Sequence, residues 1–329
     1  MTNTEKTKIV AENLNSKIKY NLDRHVKSTR KQLKQMLKNY EDDPYYLFYD
    51  VAISAISEAY IMIAGTIRTW ENEGIAELQG ITPKEYFSSL ESVNEIIEII
   101  SFITTDIDII LVPSLVNKII ELKDSISDEL FRILENMQVD ESKCLNNQQL
   151  AAIKIAGISA LPKYLNPILN IFTQLDSEKT DEDTYAVLTR SLVDIGMPAL
   201  NSIINMIENS GQNDKLYPFL IDVVAKIGHD NKSEDIYNFL KKQFRNSEFR
   251  VIEAKALATY GDGRAIPAIR GYIEKNLDEI SSEEYDLLRH AILDLGGNTD
   301  DLDEYFEDYE DYEEEDYEEI YDEEFGEED

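Results

Sequence analysis

Apolar residues recur along this chain at steps of three, four and seven, the period of a helix buried on one side, and almost nowhere alternate as they would in a half-exposed strand. Ile18, Leu22, Val26, Leu33, Leu37 and Tyr40 form such a stripe in a first helix predicted from about Glu5 to Tyr40. The run EDDP at 41–44 ends it, because the residue before a proline avoids helical geometry. The pattern then predicts helices at about 45–71, 84–103, 107–123 and 127–138, with Thr82 as the N-cap and Pro83 as the first helical residue of the third. Residues 51–67, VAISAISEAYIMIAGTI, are the best candidate for a membrane span, but they are short and carry Glu58 near the middle. They read as a buried helix, with no membrane contact. The fold class is all-α.

From about residue 147 the pattern repeats. Gly157, Gly196, Gly228, Gly261 and Gly296 follow one another at intervals of 39, 32, 33 and 35 residues, each predicted to end a helix. Four residues before each glycine stands an apolar residue (Ile153, Leu192, Val224, Leu257, Ile292), and directly before it stands another (Ala156, Ile195, Ile227, Tyr260, Leu295). Pro162, Pro198 and Pro267 then precede second apolar helices. A helix-turn-helix unit of this size cannot bury its own apolar face, so neighbours must stack.

The stretch ALATYGDGRAIPAIRGYI, residues 256–273, resembles the short HEAT repeat shared with phycobilin lyases, in which a helix ends in Gly-Asp-x-Arg-Ala-x-Pro-x-Leu. Gly261, Asp262, Arg264, Ala265 and Pro267 match, with Ile269 at the leucine position. The other four units keep the spacing and lose most of these residues. The resemblance covers residues 147–299 and implies an α-solenoid of stacked helical hairpins. It also implies that Asp262 and Arg264 tie adjacent repeats together, and that second helices line a concave face. The expected organisation is irregular helical hairpins over 1–146, HEAT-like repeats over 147–299 and an acidic, disordered tail over 300–329.

Charge sharpens this picture. The formal net charge is −34, yet in residues 1–40 Lys and Arg outnumber Asp and Glu by ten to three. Residues 300–329 hold 20 acids, five tyrosines, two phenylalanines and no base. Lys27, Lys31 and Lys34 belong to the basic first helix. Lys241, Lys242, Arg245, Arg270 and Lys275 fall on two successive second helices and could form one stripe on the concave face. In the tail, Tyr309, Tyr312, Tyr317 and Tyr321 interrupt the carboxylates at near-helical steps, the composition of a segment that docks on a basic groove, its own or a partner's.

The candidate chemistry is sparse. One cysteine, Cys144, allows neither an intramolecular disulfide nor a multi-thiolate metal site. None of the three histidines, His25, His229 and His290, is followed by the glutamate that the iron-binding HEAT hydroxylases place after theirs. No phosphate-binding glycine loop, nucleophile elbow or zinc-helix motif occurs. These readings predict no catalytic residue, no cofactor and no enzyme, but a cytoplasmic protein-interaction scaffold with an acidic docking or autoinhibitory tail. Its partner would be another protein of basic or mixed surface. Nucleic acid is disfavoured by the net charge, and a regulator whose basic first helix is gated by the tail is the first alternative. A lyase-like enzyme on HEAT repeats is the second.

Overall fold

A computed structural model describes residues 1–37, 44–103, 112–139, 144–176, 179–210, 215–247, 250–277 and 279–303, with 44–50 and 303 described by backbone alone. Among the described residues every regular element is a helix, as the hydropathy period predicts. The chain divides into two compact units, Met1–Ile195 and Gly196–Asp329.

The first unit holds α1 (Asn3–Leu37), α2 (Pro44–Trp70), α3 (Pro83–Ser88), α4 (Val93–Phe102), α5 (Pro113–Glu135), α6 (Asn147–Ser159), α7 (Leu165–Gln174) and α8 (Glu182–Ile195). α1 packs on α2 and α4, α4 on α6, and α6 on α8; a second row runs α3, α5, α7. The anchor of α1 lies nearer its start than the predicted stripe: Val10, Ala11, Leu14 and Ile18 are buried, whereas Val26 is 47% exposed. Leu22 and Leu37 are half-buried, and Tyr40 lies outside the described residues.

Two predicted boundaries move for local reasons. The single helix expected at 84–103 is two, because Ser92 and Glu95 form a reciprocal capping box that restarts the chain, matching the Thr82–Glu85 box that starts α3. The two helices expected at 107–123 and 127–138 are one, α5, over the part described. Ser125 and Ser127 donate to the carbonyls of Leu122 and Asp124, three residues back, and Ile126 continues the buried stripe between Ile119 and Leu130. Glu71, just after α2, accepts from the Ser114 backbone N–H at 2.8 Å and from its hydroxyl, placing a carboxylate at the start of α5 where the helix dipole favours it.

The second unit holds α9 (Met197–Ser210), α10 (Tyr217–Asp230), α11 (Glu234–Asn246), α12 (Val251–Tyr260), α13 (Ile266–Lys275), α14 (Ser282–Asp294) and the short α15 (Asp300–Asp303). α10 packs on α12 and α12 on α14, while α9 lies on α10, α11 on both α10 and α12, and α13 on α14.

The recurrent glycines divide into two kinds. Gly196, Gly261 and Gly296 adopt φ of +75°, +75° and +81° and end helices as predicted. Gly157 and Gly228 lie inside α6 and α10 instead, where the absence of a side chain lets a neighbour approach. A Cβ on Gly157 would stand 2.8 Å from Ser191 Oγ on α8, and one on Gly228 would stand 2.7 Å from Ile236 and 2.8 Å from Tyr260. The apolar register is uniform across both kinds: Ile153, Leu192, Val224, Leu257 and Ile292 are all fully buried. Leu295, the last of the residues preceding the glycines, is half-buried, while the other four are buried.

Candidate interaction surfaces

The polar pair Asp262 and Arg264 sits in the turn between α12 and α13. Asp262 caps the 3-10 turn by accepting from the Arg264 N–H, and the Arg264 guanidinium returns to both carboxylate oxygens at 2.6–3.0 Å. Arg264 also reaches Glu234 at 2.9 Å and lies over the Tyr237 ring at 4.4 Å, so one side chain joins this turn to α11 of the preceding hairpin. Beside it the Tyr260 hydroxyl accepts from the Ser233 N–H and donates to the Ser233 carbonyl, and Lys232 lies 4.1 Å from the Tyr260 ring centroid. Lys232, Ser233, Glu234, Tyr260, Asp262 and Arg264 line a shallow, open cleft in which two acids meet two bases.

Hydrogen bonding from Arg264 holds the Asp262 carboxyl below its ordinary value. A carboxylate depressed in the folded state stabilises the fold above its unfolded pKa, near 3.9, and that contribution disappears as pH falls through the folded value. Asp262→Asn is therefore expected to flatten the acid limb of stability below about pH 4, by under about 1 kcal/mol because the partner guanidinium is exposed. Urea midpoints measured across that range check it.

The bases predicted to form a stripe on the second helices meet different fates. Lys242 is 3.3 Å from Glu208 on α9, and Lys241 lies over the Tyr237 ring at 5.5 Å. Arg245 and Lys275 are exposed, with no ion pair among the described residues. Arg270 is committed: it donates to the Asn298 carbonyl and to Asp301, each at 2.6 Å, and approaches Glu274 at 3.6 Å. Thr299 and Leu302 are buried beside this clamp. Residues 300–302, at the start of the acidic run, are thus fastened to α13. The signal for this was Leu302, the one apolar residue of the run DDLDE. Tyr309, Tyr312, Tyr317 and Tyr321 lie outside the described residues.

Lys27, Lys31 and Lys34 are all exposed on α1, as are Lys19, Arg24 and Arg30, and none of them has an acidic partner within 4 Å among the described residues. Their neighbour α2 departs from its prediction. Over Val51–Trp70 it is long and apolar enough to cross a membrane, with mean hydropathy 1.3, yet only 11% of it is buried. The buried helix expected there is buried only near its end, at Ile63, Ile67 and Trp70, while Ile53, Ile56, Tyr60 and Ile61 are exposed. Helical periodicity assigns residues to a common face; it does not reveal whether another element covers that face.

The histidines and the cysteine are occupied locally. A ring nitrogen of each histidine bonds a backbone carbonyl: His25 to Ala55, His229 to Thr259 and His290 to Asp286, at 2.7–2.9 Å. Because a carbonyl only accepts, that nitrogen is the donor in each case. Cys144 points to the Lys179 carbonyl at 3.3 Å. Glu253, 2% exposed on α12, accepts from the Tyr217 hydroxyl at 2.8 Å, and its second oxygen has no partner among the described residues. Among the described residues no group of three or more His, Cys, Asp or Glu side chains is placed to hold a metal ion. Compared with family models, curated proteins and solved structures, the chain matches none.

Proposed function

We propose that the chain is a non-enzymatic protein-interaction scaffold, a HEAT-like α-solenoid whose acidic tail docks on exposed bases of the second unit and is displaced by a partner of basic or mixed surface. The observation that carries this reading is the Arg270 clamp on Asn298 and Asp301, with Leu302 buried beside it. It launches the acidic residues from α13, the helix that also carries exposed Lys275, and α11 of the same unit presents Arg245. Carboxylates leaving such a point meet opposite charge at short range, and the interleaved tyrosines add contact area. Ordering the segment costs entropy, so the contact is weak enough to be exchanged for a partner.

The packing of α10 on α12 and α12 on α14, with a fully buried residue four positions before each recurrent glycine, supports the repeat architecture. A second reading, contact with nucleic acid through α1, is favoured by the exposed Lys27, Lys31 and Lys34, which have no ion pair among the described residues, and opposed by the charge of everything that follows.

Deleting residues 304–329, which leaves the clamp intact, tests the tail's role. Binding of a labelled poly-glutamate peptide is expected to rise on deletion and to weaken with salt. Binding of a duplex DNA of equal charge is the control. Unchanged weak binding of both would remove the autoinhibitory tail, and a rise for DNA alone would favour the second reading.

A further inference from the structure

We infer that the α1–α2 hairpin is a membrane-surface element that lies on an anionic lipid bilayer. Four large apolar residues of α2 stand open to solvent within nine positions: Ile53 at 49%, Ile56 at 70%, Tyr60 at 53% and Ile61 at 70% exposed. Isolated apolar residues on a surface are ordinary, whereas a group on one helix marks a surface that meets something. The bond from His25 to the Ala55 carbonyl sets α1 beside α2, and on α1 the next residue, Val26, is 47% exposed.

The helix packed beside this area is basic. Lys19, Arg24, Lys27, Arg30, Lys31 and Lys34 are exposed along α1. An exposed apolar helix packed beside a basic one suits the boundary between acyl chains and phosphate headgroups, where the stems of Lys and Arg lie on apolar material and their charges reach the lipid phosphates. The other occupants fit less well. Pairing two copies through this face would bring two sets of these cations together. Crossing the bilayer would require α2 to leave α1 or to draw it in. Asn21 holds Thr66 at 2.9 Å, Trp70 holds Asn13 at 3.0 Å, and Glu58 stands exposed on α2 itself. The hairpin therefore rests on the surface. In residues 1–40 Lys and Arg outnumber Asp and Glu by ten to three and the rest of the chain is strongly acidic, so α1 is the element that an anionic leaflet attracts, with the apolar residues of α2 beside it. What told against a membrane at residues 51–67 in the sequence, their short length and Glu58, opposes crossing and leaves contact with the surface open.

The test is co-sedimentation of the full chain with vesicles of phosphatidylcholine alone and of phosphatidylcholine mixed with phosphatidylglycerol. The expected result is pelleting with the anionic vesicles only, weakened by salt and by about fivefold for each of Lys27→Ala and Lys31→Ala. The double variant Ile56→Asp/Ile61→Asp should abolish it while the helical signal and Trp70 fluorescence stay unchanged, because both side chains are exposed. Three results would each overturn the inference. One is no pelleting at low salt by either the full chain or residues 1–303. Another is pelleting that ignores the double variant. The third is a solution dimer that the double variant dissolves, which would make the face a contact between copies.

Discussion

Gly157→Ala is expected to destabilise the first unit by about 1–3 kcal/mol, while Gly65→Ala stabilises it by about 0.5–1 kcal/mol. Both glycines lie inside helices, where alanine is intrinsically preferred. At Gly65 a new Cβ meets nothing within 4 Å, so the helical preference acts unopposed. At Gly157 the same atom would stand 2.8 Å from Ser191 Oγ and 2.9 Å from Ser191 Cα. The hydroxyl cannot swing away freely, since it is shared between the carbonyls of Ile153 and Val187 at 3.1 and 2.9 Å. The Cα can move only if α8 moves away from α6. Urea denaturation followed by circular dichroism reads the sign directly, and equal effects at the two positions would contradict the close packing of α6 on α8.

Trp70→Ala is expected to cost more, about 3–5 kcal/mol, the range for removing a large buried aromatic. The indole is 1% exposed, packs edge-on against Phe87 of α3 at 6.0 Å, and donates to Asn13 of α1. One side chain thus fastens the end of α2 to two other helices. Because the outer part of α2 buries so little, loss of this anchor should release the helix before the rest of the unit. Faster amide exchange across 51–70 than across α6 would show it. Trp70→Phe keeps most of the area and leaves Asn13 without its donor, for an expected cost of about 1–2 kcal/mol. An Ala variant as stable as the parent would mean that α2 is held by something other than its final turn.

How much of this was legible in the chain depended on whether the deciding interaction was local. Helix type, the Thr82–Pro83 start and the buried position four residues before each glycine follow from spacing and capping chemistry, and the structure places them so. The roles of Gly157 and Gly228 did not follow, because a glycine that ends a helix and one that admits a neighbour look alike in sequence. What separates them is a contact with Ser191 or Tyr260, more than thirty residues away. The exposed face of α2 was hidden for the same reason: its hydropathy is that of a core helix, and only the lack of a covering element among the described residues makes it a surface. The basic stripe on the second helices was legible as composition. That Arg270 already holds Asp301 required the fold.

The measurement that bears most directly on the scaffold reading is titration of a labelled peptide, residues 304–329, into the chain ending at residue 303. The account predicts saturable binding that weakens steeply with salt and is reduced by Arg245→Glu and Lys275→Glu. No saturable binding at low salt, or binding indifferent to both substitutions, would contradict it.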